Sequence, residues 1–88
     1  MHEEALLRDL VRKVNEVSAS YAGKPVRRIE LWVGALSHVT AQQLKDRWPT
    51  AAAGTAAEHA RVEVSTSTDL DDPRAQAVVL RSVDLEDG

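Results

Sequence analysis

No phenylalanine and no cysteine occur in this chain, and that double absence does most to limit what it can build. Its 88 residues make one small domain, read as a single unit over 1–88. A chain of this size buries a smaller share of its surface than a long one, so its core is marginal. Val, Leu and Ala must supply that core, helped by three aromatics, Tyr21, Trp32 and Trp48. Without cysteine there are no disulfide staples and no thiolate metal sites.

The apolar pattern sets the elements. Leu6, Leu7, Leu10, Val11, Val14 and Val17 recur at three- and four-residue steps, which predicts a helix with one buried stripe. Glu3 and Glu4 complement the positive end of its dipole, and Gly23-Lys24-Pro25 stops it. From Val26 to Val33 the period changes to two. Ile29, Leu31 and Val33 alternate with Arg28, Glu30 and Trp32, a strand with one apolar face. Trp32 falls on the polar face, so it either packs under another element or lies exposed as a partner surface. Thr40-Ala41-Gln42-Gln43 fits a capping box, which starts a second helix at Ala41 running toward Ala53. Pro49 costs that helix about 3 kcal/mol and predicts a kink or a split. Ala60 to Ser65 reads as a second strand with Val62 and Val64 facing in. Thr66 to Ala77 reads as a polar loop, and Val78 to Glu86 as a third strand with Val79, Val83 and Leu85 on one face.

The fold class is therefore α/β, in the order α-β-α-β-β. The strand-helix-strand unit implies a right-handed crossover with parallel strands, and the last two strands an antiparallel hairpin. The sum is a three-stranded mixed sheet with two helices on one face. The other face, carrying Trp32, is partly open, which suggests a partner surface or a homo-oligomer.

Charge and hydropathy exclude several functions. The 11 basic residues against 14 acidic give a net charge of -3, which argues against binding a phosphate backbone and hence against a nucleic-acid partner. No apolar run is long enough to span a bilayer. The start MHEEALLRDL is acidic where a signal peptide is basic, so the expected location is the cytoplasm. The histidines, His2, His38 and His59, stand far apart and in no catalytic motif, and the four glycines form no phosphate loop. These features predict a protein that is not an enzyme. The acidic run Asp69, Asp71 and Asp72 lacks the glycine and distal glutamate of a calcium loop and reads as solvated.

The chain start has more to offer. The Met1 amine, the backbone nitrogen of His2 and its imidazole Nδ1 can close fused chelate rings around one ion. Such an all-nitrogen, planar set suits Ni(II) or Cu(II). The amine and amide must lose protons, so binding tightens as pH rises. Glu3 can add an oxygen ligand or orient the imidazole. His38 and His59 are further ligands only if the fold brings them near the N-terminus, and otherwise read as surface-loop histidines.

These residues together resemble the HypA/HybF family of nickel-insertion proteins for [NiFe]-hydrogenases. The opening Met1-His2-Glu3 looks like the family's start. Leu31-Trp32-Val33-Gly34-Ala35-Leu36-Ser37 resembles its strand ending in Gly-Ala-Leu-Ser. Ala53-Gly54-Thr55 followed by Arg61-Val62-Glu63-Val64 is similar to the exit from its second helix, and Leu80 to Glu86 to its closing strand. The resemblance implies a nickel metallochaperone whose metal residues are Met1, His2 and Glu3. It also implies docking to a HypB-like GTPase and to a hydrogenase large subunit. Family members carry a zinc module built on two C-x-x-C pairs between the last two strands. Here that place holds residues 66–77, so no zinc is expected. The alternative is a metal-independent interaction module that docks on, or regulates, the hydrogenase maturation proteins.

Overall fold

The computed structural model describes residues 3–87. Its elements are α1 (Glu3–Ser20), β1 (Val26–Val33), α2 (Ala41–Ala51), β2 (Arg61–Thr66) and β3 (Val78–Leu85), the order and fold class expected from the sequence. In α1 the buried stripe is Leu7, Leu10, Val11 and Val14, continued by Ser18. The serine is tolerated because its Oγ donates to the Lys24 carbonyl at 2.7 Å, so neither polar group is stranded. Below it the chain turns through two left-handed residues, Ala22 (φ 64) and Gly23 (φ 72). The Gly23 N–H caps the helix by donating to the Ser18 carbonyl at 2.8 Å.

The sheet order is β2-β1-β3, with β1 parallel to β2 and antiparallel to β3. The expected β2–β3 hairpin does not form, since these strands occupy opposite edges. β1 takes the centre and is the most buried strand, with Val26, Ile29, Leu31, Trp32 and Val33 all inside. A central place covers it on both edges, and the connection from β2 to β3 is long enough to cross it.

The face assignment of β3 also changes. Leu31 pairs with Leu80 and Glu30 with Ser82, so Arg81 is an extra residue at a bulge. A bulge shifts the two-residue phase. Val79 therefore lies beside Trp32 on the far face, while Val78, Leu80, Val83 and Leu85 pack on the helix side. A second register shift between Val26 and Arg28 lets both Val26 and Ile29 reach the core.

α2 begins with the expected capping box. Thr40 Oγ1 accepts from the Gln43 N–H at 3.2 Å, and Gln43 Oε1 accepts from the Thr40 N–H at 2.9 Å. Pro49 does not split the helix, which runs on to Ala51. The N–H it lacks would have met the carbonyl of Lys45, and both residues are exposed, so water can take that carbonyl. The opposite face buries Leu44 and Trp48 completely. Burying one tryptophan at about 25 cal/mol per Å2 is worth about 4–6 kcal/mol, more than the proline costs. The Trp48 indole N–H donates to the Ala57 carbonyl at 2.9 Å, tying the helix to the turns that follow it.

The polar loop is a strap over the far face of the sheet. Gly34 N–H donates to the Ala77 carbonyl at 2.9 Å and Leu36 N–H to the Ala75 carbonyl at 2.7 Å. A Cβ on Gly34 would collide with the backbone of Arg74 and Ala75, so only glycine permits this approach. Of the two placements open to Trp32, the structure takes the covered one: it is 8% exposed, with the Arg74 guanidinium 5.2 Å and that of Arg81 6.0 Å from its ring. The rest of that face carries Arg28, which bridges Glu63 at 2.5 Å and Asp84 at 2.7 Å across all three strands.

Candidate metal centre

Element lengths decide where the start of α1 lies. α1 rises about 27 Å over its 18 residues and β1 spans about 26 Å over 8, so a helix doubling back along the strand returns its beginning to the strand's far end. That end is the corner Gly34–Thr40, which leads into α2. The first turns of α1 accordingly meet the corner: Ala5, Leu6 and Asp9 share a cavity of about 440 Å3 with Ser37, His38 and Val39.

Met1 and His2 lie outside the described residues, so the proposed amine, amide and imidazole donors do too. Glu3 is described. Its Oε1 is shielded from water and stands 2.8 Å from Nε of Arg47 on α2. That oxygen has no aligned hydrogen bond, although the side chain as a whole keeps some exposure, so the contact is an ion pair held by charge. Sequence reasoning had no means of finding Arg47, because a pair formed between two helices leaves no periodic trace. To serve a metal, the Glu3 carboxylate would have to share itself with this guanidinium.

His38 and His59 separate clearly. The turn carrying His59 lies beside the start of β1, where the Ala56 carbonyl accepts from the Val26 N–H. His38 is at the strand's other end, beside α1. The corner around it is firmly held: Ser37 N–H donates to the Gly34 carbonyl at 3.1 Å, and Ser37 Oγ accepts from the Val39 N–H at 3.1 Å. Asp9, also in the cavity, is taken up by Arg12 at 2.5 Å and Lys13 at 3.2 Å. Hydrogen bonds from Arg12 first, then Lys13, hold its carboxyl below the usual carboxylate range.

Among the described residues no group of three or more His, Cys, Asp or Glu side chains converges as a metal site. The acidic run is engaged in local turns, with Asp69 Oδ1 accepting from the Asp71 N–H and Asp72 Oδ1 from the Arg74 N–H. Zinc of the thiolate kind does not fit this chain, which has no cysteine to bind it. No described helix is long and apolar enough to cross a membrane.

Comparison with known proteins bears on the family and the fold. The family model described as hydrogenase/urease nickel incorporation, metallochaperone, hypA matches residues 1–69 and so ends inside the strap. No curated protein matches. Among solved structures, the solution structure of the Ni metallochaperone HypA from Helicobacter pylori is similar, with a TM-score of 0.81 at 12% identity over 97% of each chain. At that identity the likeness speaks for the fold. The match over residues 1–69 covers well over half the chain and carries the assignment: this protein belongs to the HypA family of nickel-incorporation metallochaperones.

Proposed function

We propose that this chain is a nickel-binding accessory protein for maturation of a [NiFe]-hydrogenase, holding Ni(II) as cargo through the Met1 amine, the His2 nitrogens and Glu3. The observation that supports it most is the return of α1 to the β1–α2 corner on a HypA-type domain. It sets the first turns of α1, which begin at Glu3, against a fixed part of the fold. Nickel is received and handed on, so the protein itself performs no catalysis. Planar nitrogen donors at the chain start bind the ion in proportion to how far the amine and amide have given up their protons, and an acid client site reverses that. The partners are a HypB-like GTPase and a hydrogenase large subunit, and the setting is the cytoplasm. The strap 66–77 stands in place of a zinc module, so nickel affinity is set without zinc.

Isothermal titration of the untagged protein tests the reading. Wild type takes up one Ni(II) per chain and His2→Ala abolishes uptake. Equal nickel affinity in the two proteins sinks the proposal. Residues added before Met1 remove the free amine and are expected to weaken binding. A partner using Trp32 would first have to lift the strap that covers it.

A further inference from the structure

We propose that the outer edge of β2 pairs antiparallel with β2 of a second copy of this chain, centred on Val62. The Trp32 face is closed to a second copy by the strap, and the Arg81 bulge interrupts β3. β2 lies at the sheet's other edge, runs beside β1 without a register shift and contains no proline. A regular edge of this kind offers unpaired backbone groups to another strand. The Ser67 N–H donates to the Val33 carbonyl at 2.9 Å, so Ser67 faces β1. Alternation along the strand then turns the backbone groups of Arg61, Glu63 and Ser65 toward β1 and those of Val62, Val64 and Thr66 outward. No described group bonds the outward N–H and carbonyl of Val62 or Val64.

The side chains say which strand fits. On the far face Arg28 is in register with Arg61, and Glu30 with Glu63. Like charges standing opposite one another destabilise a sheet. Arg28 leans away to Glu63 and Asp84, which leaves Arg61 exposed and without an ion pair among the described residues. Glu63 gives Oε2 to Arg28, and no described group donates to its Oε1. Exchanging residues 61 and 63 would suit the isolated chain better, with an acid beside Arg28 and a base beside Glu30. The order present suits an edge that meets its own copy. With Val62 opposite the partner's Val62, Arg61 faces the partner's Glu63 and Glu63 faces the partner's Arg61. The same register sets Val64 against the partner's Ala60 on the helix side, joining two apolar rows that already pack on their own cores. Val62 N–H then meets the partner's Val62 carbonyl, and Val64 N–H the partner's Ala60 carbonyl. Sliding one strand by two residues sets Glu63 against the partner's Glu63, or Arg61 against the partner's Arg61, so charge selects the central register. Sliding by one residue turns the apolar row to the wrong face.

The test uses the full untagged chain with a chelator present, so that no metal bridges two copies. Sedimentation over a concentration series gives the mass, and amide exchange read by NMR locates the contact. Wild type is expected to pass from monomer to dimer as concentration rises toward about 1 mM. The Val62 and Val64 amides should gain protection of about tenfold or more on the way. Arg61→Glu sets acids opposite one another in this register and is expected to weaken the dimer about tenfold or more. The double variant Arg61→Glu, Glu63→Arg restores opposite charges in the same register and is expected to recover it. Urea midpoints measured on the dilute monomers separate loss of the contact from loss of the fold. Wild type that stays monomeric at about 1 mM overturns the proposal and leaves the edge to a strand of another protein. A dimer that leaves the Val62 amide unprotected, or that Arg61→Glu leaves as tight as wild type, overturns it too.

Discussion

Gly34→Ala tests the strap directly. A Cβ at this position would fall on the Ala75 carbonyl and the Arg74 carbonyl oxygen, both backbone atoms that cannot swing aside as a side-chain end can. The clash is relieved when the strap withdraws, so the cost of withdrawal caps the cost of the substitution. Withdrawal gives up the Gly34–Ala77 and Leu36–Ala75 hydrogen bonds, about 2 kcal/mol together. It also uncovers one side of Trp32, about 100 Å2 of apolar surface or about 2.5 kcal/mol. Conformational entropy regained by a loosened segment offsets part of that sum. What remains is about 2–4 kcal/mol, a large share of the stability of a domain this small.

Urea unfolding gives the loss of stability, and acrylamide quenching reports the uncovered indole. Trp48 has no exposed surface and serves as the internal reference, so any rise in the quenchable fraction comes from Trp32. Gly54→Ala is the control. Its Cβ would meet nothing, and its φ of 79° makes it strained by about 1 kcal/mol without touching the strap. Unchanged quenching in Gly34→Ala, with a midpoint no lower than that of Gly54→Ala, would refute the seating of the strap on Gly34.

Three further outcomes follow from the geometry. Trp48→Phe removes the donor to the buried Ala57 carbonyl and should cost about 1–3 kcal/mol in thermal or urea unfolding, plus a smaller packing loss; a neutral result would mean that carbonyl finds another partner. Arg28→Met leaves Glu63 and Asp84 without their shared cation, so it should lower the urea midpoint more at low salt than at high salt, and equal losses in both would count against the bridge. Hydrogen bonds to Asp84 first, then Glu63, raise the Arg28 pKa above the ordinary guanidinium range, so this contribution is fully present below the unfolded pKa and lost only as pH rises through the folded one. Arg47→Met frees the Glu3 carboxylate and removes a positive charge near the cargo site, so nickel titration at low salt should show affinity rising a few-fold; weaker binding would assign Arg47 to holding the chain start in place.

What the sequence made legible is what local periodicity encodes. The α1 stripe, the β1 boundaries and the Thr40–Gln43 capping box all depend on residues within a few positions of one another. The misread features depend on pairing between distant segments. Strand alternation predicts one face for Val79, Val83 and Leu85, but the Arg81 bulge appears only when β3 is laid against β1. A hairpin between β2 and β3 is the economical arrangement of neighbouring strands, and it loses to the gain from covering β1 on both edges. The cost of Pro49 is local, whereas the compensating burial of Trp48 is tertiary. The candidate site divides the same way. Met1, His2 and Glu3 can be read from the sequence as proposed donors, but the pairing of Glu3 with Arg47 follows from how α1 packs on α2.

The corner Gly34–Thr40 joins the strap, the cavity beside α1 and the start of α2. Gly34 and Leu36 seat the strap, Ser37 holds His38 and Val39 in place, and Thr40 caps α2. The strap does more than cover Trp32, because Gln76 and Ala77 at its end line the same cavity as His38, Leu6 and Asp9. The strap thus remains in contact with the first turns of α1. A substitution at Gly34 acts on both at once: it lifts the Trp32 cover and loosens one wall of the His38 cavity. Nickel affinity in Gly34→Ala should therefore fall together with stability if the corner helps to hold the ion. If the chain start binds nickel as a free chelating tail, affinity should stay at the wild-type value under conditions where the variant remains folded.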